Sequence, residues 1–288
     1  MKIGFIGAGK VGIALAYALR NKGFEVVTIA DLRGETAFAV ARHYLGDSVR
    51  YTMDNMEVVG TCNVVAVTTQ DGAIREVAEK ISEASGDLRG KLFFHTSGAH
   101  PSSILKALDE KGALIGSLHP LQTFPDVASA IRVLPSTFIF VEGPGKALRK
   151  LEILGRSIGR SVVPVEENNK VYYHLCAVFV CNLLCALLYS GENIMKKIDI
   201  TLEPFFPIID ATLNNIKSDG PLLSLTGPIV RGDIGTVKDH MEAMTTMNLH
   251  KKIYRALSLT ALDMVKERNI LTKETIDALA RILEDKDE

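Results

Sequence analysis

Short apolar runs punctuate the first half of the chain: KIGFIGA, EVVTIAD, NVVAVTT, KLFFHTS, ALIGSLH and STFIFVE, with RSVVPV following. They are rich in Val, Ile and Phe, as strands covered on both faces are. Between most of them stand stretches with helical spacing, such as IALAYALRNKG, GAIREVAEKISEAS, PSSILKALDEKG and KALRKLEILGRSIG. Strand and helix in alternation predict an α/β, doubly wound, mostly parallel sheet of the Rossmann kind over residues 1–165. After EENN at 166–169 the strands stop. Apolar positions then recur at helical spacing through 170–198, 203–217, 234–267 and 273–284, which predicts an all-helical C-terminal domain over residues 166–288.

The first helix of that second half contains LCAVFVCNLLCALLY at 175–189 and is apolar nearly all round. The run is shorter than the roughly 20 residues a bilayer span needs and holds Asn182, so it reads as a buried helix. A small domain cannot cover such a helix alone, and a homodimer interface through the helical domain is the simplest cover. Three of the four cysteines (176, 181 and 185, beside 62) lie on it with no C-x-x-C pair, so they read as reduced core residues and no metal site is expected.

Composition narrows the partners. The 288 residues are 47% hydrophobic and 23% charged, with 33 Lys and Arg against 34 Asp and Glu. No basic stripe calls for nucleic acid and no polybasic segment for a membrane surface, which leaves a small-molecule substrate. The opening MKIGFIGAGKVG enters a strand directly with no secretory pattern, so the expected location is cytoplasmic.

Candidate chemistry begins at GAGKVG, residues 7–12, a G-x-G-x-x-G that follows a strand and opens a helix. Gly7 permits the turn, Gly9 lets a pyrophosphate approach the backbone, and Gly12 lets helix and strand pack. Ala8, Lys10 and Val11 supply the rest of the turn and the helix amino end. Gly4 to Lys10 also fits a P-loop, but Val11 stands where that loop needs a hydroxyl, so this reading fails. An S-adenosylmethionine site remains open as a competitor. Asp31, at the end of EVVTIAD, suits a ribose 2′-hydroxyl and NAD, whereas Arg33 suits a 2′-phosphate and NADP. The two point in opposite directions, which leaves NADP or NAD with a lean to NADP. Thr68 and Thr69, in VTTQD, end a strand and belong beside the cofactor's ribose.

The same strand-end rule places Ser97 of HTSGAH and His119 of SLHPLQTF at the far part of the cofactor. A histidine near neutral pKa can donate to a carbonyl or imine under reduction and take a proton back in oxidation; capping the sheet edge is the alternative for His119. On the helical side, His174 and Asn182 share a broad face, and a buried Asn needs a hydrogen-bond partner or a ligand. In LTGPIVRGDIGTVKDH, residues 225–240, Thr226 and Arg231 lie in a polar glycine-rich loop; Arg231 suits an anionic substrate group, or an ion pair with Asp233.

Taken together and in this order, GAGKVG, HTSGAH, SLHPLQTF, YHLCAVFVCN and LTGPIVRGDIGTVKDH resemble the Rossmann-like oxidoreductases that carry a helical C-terminal domain of unknown function. The layout is similar to that of ketopantoate reductase, pyrroline-5-carboxylate reductase and the hydroxyacid dehydrogenases. This implies NADP-type cofactor binding, dimerisation through the helical domain and a substrate bound between the domains. His119-Pro120 also looks like the His-Pro of prephenate dehydrogenases. One position departs: Asn182 matches the asparagine of the hydroxyacid dehydrogenases, but Val178 stands where their proton-donating lysine would be. Lys170, His174 or His119 would have to replace it. The sequence thus supports an NAD(P)-dependent oxidoreductase acting on a small carbonyl, imine or alcohol. In that reading His119 is the acid/base, Ser97 orients the substrate or carboxamide, His174 and Asn182 hydrogen-bond the reacting group, and Arg231 holds an anionic tail. The alternative is a dinucleotide-binding sensor without turnover.

Overall fold

The computed structural model describes residues 1–284, in two compact units, Met1–Asn182 and Leu183 onward. The first unit is an eight-stranded sheet: β1 (Lys2–Ile6), β2 (Glu25–Ala30), β3 (Arg50–Thr52), β4 (Val64–Val67), β5 (Leu92–His95), β6 (Leu114–Pro120), β7 (Phe138–Glu142) and β8 (Ser161–Pro164). Its order is β3-β2-β1-β4-β5-β6-β7-β8, and all neighbours run parallel except β6 and β7. The helices of this unit are α1 (Lys10–Asn21), α2 (Glu35–Leu45), α3 (Asn55–Thr61), α4 (Ile74–Ala84), α5 (Lys106–Asp109), α6 (Val127–Val133), α7 (Gly145–Ile158) and α8 (Lys170–Ala177). The doubly wound, mostly parallel sheet predicted by the alternation is present. Only β3 escapes the pattern, because three residues are too few to show a period.

Successive strand residues point to opposite faces, so the sheet builds two cores. Phe5, Phe94, Leu118 and Val141 pack with Ile13 and Leu19 of α1 and Leu151 and Leu154 of α7. Ile6, Val67, Phe93 and Ile115 pack on the other face with Ile74 and Ile81 of α4 and Val58 of α3. Because β1, β4, β5 and β6 are parallel, their carboxyl ends lie along one edge. That edge carries Gly7, Thr68, Ser97 and His119. Antiparallel β7 brings Phe140 opposite His119 and Glu142 opposite Ser117.

The predicted boundary at 165/166 marks where strands end, but the first compact unit runs to Asn182. The reason is α8. Its Lys170 is 3% exposed and hydrogen-bonded to the sheet unit, so these helical turns fold as part of the sheet unit. A π-helical turn, Val178–Asn182, then leads into α9 (Leu183–Met195).

The second unit continues with α10 (Phe206–Ser224), α11 (Pro228–Arg231), α12 (Ile234–Ala243), α13 (Asn248–Arg268) and α14 (Lys273–Glu284). The stretch read as one helical run over 234–267 divides into α12 and α13. α11 is a one-turn helix inside the stretch read as a loop, begun at Pro228 and ended by Gly232 at φ 67°. α10 breaks at Gly220, which takes φ 78° ahead of Pro221. The core of this unit is small, built on Ile229, Val237, Leu262, Val265, Leu279 and Leu283.

The expectation that 175–189 is a buried helix does not hold within the chain. Leu175, Phe179, Val180 and Leu183 are exposed, and so are Cys176, Cys181 and Cys185, leaving Cys62 as the buried thiol. The uninterrupted helical stretch, Glu167–Ile198, also outruns the apolar run itself. At 32 residues, with mean hydropathy 2.0 in its most apolar window, it is long and apolar enough by length and composition to cross a bilayer. Asn182, at the end of the π turn, is likewise exposed rather than buried.

Candidate active site

The glycine turn after β1 is built by close approach. Gly7 takes φ 109°, a conformation costly for any other residue. A Cβ on Gly12 would stand 2.3 Å from the Gly7 carbonyl oxygen and 2.5 Å from Thr68 Oγ1. By contrast, a Cβ on Gly9 would meet nothing within 4 Å, and Gly9 caps α1 with no side-chain hydrogen bond. The amino end of α1 is therefore uncapped and open, the arrangement that receives phosphate. A cavity of about 700 Å³ lies there, lined by Gly7, Gly9, Lys10, Val11, Asp31, Arg33, Thr68 and Thr69 among others.

Asp31 and Arg33 form a single device rather than rivals. Asp31 accepts hydrogen bonds from the Ala8 N–H at 2.8 Å and from Arg33 N–H and Nε–H, each at 2.9 Å. The Arg33 Nη2 lies 2.9 Å from the second carboxylate oxygen and also donates to the Ala8 carbonyl at 3.2 Å. Burial pushes the Asp31 carboxyl upward, but the Arg33 guanidinium and the N–H donors of Arg33 and Ala8 outweigh it and hold it below the usual carboxylate range. Both carboxylate oxygens are thus occupied, while the Arg33 side chain stays 60% exposed on the cavity wall. Thr68 donates its hydroxyl to the Gly7 carbonyl at 2.6 Å and so fastens the turn. Thr69 Oγ1 is buried without a partner beside the cavity.

Further along the edge, Ser97 is fully committed. Its hydroxyl donates to Asp71 at 2.7 Å and accepts from Ala99 N–H and His100 N–H, each at 3.2 Å. Its own N–H donates to His95 Nδ1, and its carbonyl accepts from Lys170 Nζ at 3.1 Å. A serine with every polar atom engaged shapes the loop; it is not a free donor to a ligand.

His119 is placed by β6 and α8 together. Ser117 and His119 are two apart on a strand and share a face; Lys170, Tyr173 and His174 share a face of α8 at spacings of three and four. Lys170 Nζ donates to Ser117 Oγ at 2.7 Å, and Tyr173 Oη is hydrogen-bonded to His119 Nδ1. Ser117 passes on to Glu142, whose carboxylate also accepts from the Ser102 N–H and hydroxyl, each at 2.6 Å. A buried ammonium is costly unless it is hydrogen-bonded and compensated by a negative group. Burial lowers Lys170 to about 8, with Glu142 and Asp71 opposing that fall. Burial, then the charges of Lys170 and His174, push His119 down to about 4 against the pull of Asp71. His119 therefore lies well below the near-neutral range expected of a free histidine and is neutral at pH 7.

Gly98 brings the histidines together. A Cβ there would stand 2.9 Å from His119 Cε1, 3.0 Å from His119 Nε2 and 2.9 Å from His174 Nδ1. His174 Nδ1 is buried and has no hydrogen-bond partner. Asp71, Ser117, Glu142 and Tyr173 entered no sequence argument about chemistry. Tyr173 carried one usable signal, its place beside His174 and three residues after Lys170, and Ser117 carried the matching two-residue offset from His119.

Thr226 and Arg231 belong to the second unit. Thr226 lines an apolar cavity of about 530 Å³ with Leu187, Ile194, Met244, Tyr254 and Leu257. Asp233 serves as the cap of α12, accepting from the Thr236 N–H at 3.0 Å and hydroxyl at 2.7 Å, and Arg231 ends α11. Among the described residues no group of three metal-ligating side chains occurs.

Comparison with known proteins agrees with this layout. Residues 1–120 match the Rossmann-like domain, and residues 137–261 match a domain of unknown function, DUF2520. No curated protein matches the chain. Among solved structures it is similar to a proposed NADP oxidoreductase of Bacteroides fragilis, at 24% identity over 90% of this chain and 96% of that one, with a TM-score of 0.72. A protein of Thermotoga maritima aligns at 21% identity over 93% and 99%, with a TM-score of 0.74. A reductive aminase of Aspergillus terreus, solved with NADPH and ethyl levulinate, aligns at 15% identity over 89% and 93%, with a TM-score of 0.64. At these identities the likeness shows the fold. The chain joins a Rossmann-like domain to a helical domain of the DUF2520 kind.

Proposed function

We propose that this chain is an NADPH-dependent oxidoreductase acting on a small carbonyl, imine or alcohol. The observation that carries the reading is one sheet edge with two complementary ends: an open, uncapped helix terminus at Gly9 after β1, and a hydrogen-bonded histidine on β6, three strands along the sheet. The neighbours described as an NADP oxidoreductase and as a reductive aminase support the same class. The residues fit a dinucleotide. Gly9 leaves room for phosphate against the backbone, the N–H groups at the start of α1 face it, and Thr69 offers an unpartnered hydroxyl. Arg33, held in place by Asp31, presents its guanidinium to a 2′-phosphate, which favours NADP over NAD because Asp31 has no free oxygen for a 2′-hydroxyl.

When bound, the nicotinamide supplies or accepts the hydride. The protein's own work is to hold the partner group. His119 is neutral, so it acts on a carbonyl or imine as a hydrogen-bond donor rather than as a charged acid. Ser97 and Asp71 fix the loop that carries Gly98, and Lys170 ties that loop to β6. Val178 leaves the usual lysine absent, which is the observation favouring a sensor without turnover. His119→Ala separates the two readings: it abolishes reduction with cofactor binding intact in an enzyme, and has no turnover to abolish in a sensor. The exposed apolar faces of α8 and α9 are assigned to a homodimer interface, and sedimentation of the purified chain tests that assignment. NADPH titration followed by protein fluorescence and melting temperature is the first test of the reading. A ligand at about 100 times its dissociation constant adds roughly 2.7 kcal/mol to stability, a shift easily seen.

A further inference from the structure

We propose that Tyr173 is a positioning residue that fixes His119 as its Nε2–H tautomer, so that a neutral imidazole presents an N–H donor above Gly98. Tyr173 is held by stacking and by a hydrogen bond. Its ring stacks on Phe140, with centroids 4.1 Å apart and planes 18° from parallel, and Phe140 is the cross-strand partner of His119. Two strands and α8 therefore determine where the phenol sits. Among the described residues its hydroxyl has one hydrogen-bond partner, His119 Nδ1.

The direction of that bond follows from chemistry. A phenol O–H is much more acidic than the N–H of a neutral imidazole, and imidazole nitrogen is a better acceptor than phenol oxygen. Tyr173 donates and Nδ1 accepts, so the single proton of the neutral ring rests on Nε2. Burial raises the Tyr173 hydroxyl and lowers His119, which keeps both partners uncharged. The charged and titratable groups around the ring do not reverse this: Lys170 and His174 from α8 disfavour a second proton, and only Asp71 favours one.

His95 shows the contrast on the neighbouring strand. Its Nδ1 accepts from Ser97 N–H at 3.2 Å and its Nε2 faces the Pro101 carbonyl at 3.2 Å, so both nitrogens serve the backbone. It has the same tautomer and nothing left to offer. His119 has one nitrogen held; the other borders the space over Gly98, as does His174 Nδ1, which has no partner. The donor and the unpaired ring nitrogen thus both border the space over Gly98. The structural part of the proposal stands without the hydride-transfer reading; the catalytic consequence, a donor to the C=O or C=N of the substrate, rests on it.

Long-range ¹H–¹⁵N spectra of protein labelled in its histidines test this in the free state. His119→Gln assigns the His119 signals by their loss, and His95 is the internal reference. Between about pH 5.5 and 8 the wild-type His119 is expected to show one acceptor nitrogen at Nδ1 and one N–H at Nε2. Tyr173→Phe should draw the two nitrogen shifts together as the tautomers mix, with His95 unchanged. Phe140→Leu, which removes the ring Tyr173 stacks on, should move them the same way and serves if Tyr173→Phe does not fold. An Nδ1–H pattern or an imidazolium in the wild type at pH 7 would overturn the proposal, as would unchanged shifts in the variants. Failure to bind NADPH would leave these spectra as predicted and sink only the function.

Discussion

The two ends of the proposed site are made of different material. At the nucleotide end the contacts are main chain and empty space: an uncapped helix, a glycine with nothing beside it, and a second glycine that no side chain could replace. At the reaction end the contacts are side chains from two strands, the segments that follow two others, and a helix: Asp71, Ser97, Ser117, His119, Glu142, Lys170 and Tyr173, joined by hydrogen bonds. The first end can be built by local sequence. The second exists only once α8 is laid against β6. A site of the first kind binds a shared cofactor, while a site of the second kind can be altered residue by residue to choose a substrate.

That contrast predicts separable damage, and the largest effect belongs to the reaction end. His119→Gln is expected to cut turnover by roughly two to four orders of magnitude with the NADPH dissociation constant unchanged. Loss of NADPH binding in that variant would mean that the two ends are not separate. At the nucleotide end, Gly9→Ala and Gly12→Val should part company. Gly9→Ala faces open space, so its melting temperature should stay at the wild-type value while NADPH affinity falls at least about tenfold, a loss of ~1.4 kcal/mol. Gly12→Val drives a side chain into the Gly7 carbonyl and Thr68, so it should lose stability as well, by ~1–3 kcal/mol. Arg33→Ala sharpens the cofactor assignment: NADPH should weaken about tenfold and NADH should not change, measured by parallel titrations.

A further effect is in pH. His95 and His119 are held neutral in the fold, at about 3 and about 4, below their ordinary 6.5. As pH falls below about 6.5 the unfolded chain takes up protons that the folded chain refuses, so stability is lost from there down toward pH 4. His119→Gln should flatten part of that slope in urea midpoints measured across the range. A slope equal to the wild type's would show that His119 titrates freely.

The same contrast explains what could be read in the sequence. GAGKVG, Asp31 and Arg33 lie close together along the chain, and the strand-end rule then placed Thr68, Ser97 and His119 on one edge. Seven strands were visible because each is long enough to show its apolar run; β3 is not. The boundary at 165/166 followed the end of the strands, whereas Lys170 and Tyr173 carry the sheet unit further, to Asn182. Tyr173 and Asp71 stayed silent because nothing local marks a residue whose partner is distant along the chain, as Tyr173 is from His119 (54 positions) and Asp71 from Ser97 (26). The helix at 175–189 was read as buried from its apolarity, but apolarity says that a cover is needed and not that the same chain supplies it.

The cavity at Gly9 is proposed to take NADPH. Titration of the wild-type chain with NADPH and with NADH, side by side under one set of conditions, tests it most directly. Saturable NADPH binding at least about tenfold tighter than NADH is the predicted result, worth ~1.4 kcal/mol or more. No binding of either, or a preference for NADH, would contradict the roles given to Gly9 and to the Asp31–Arg33 pair.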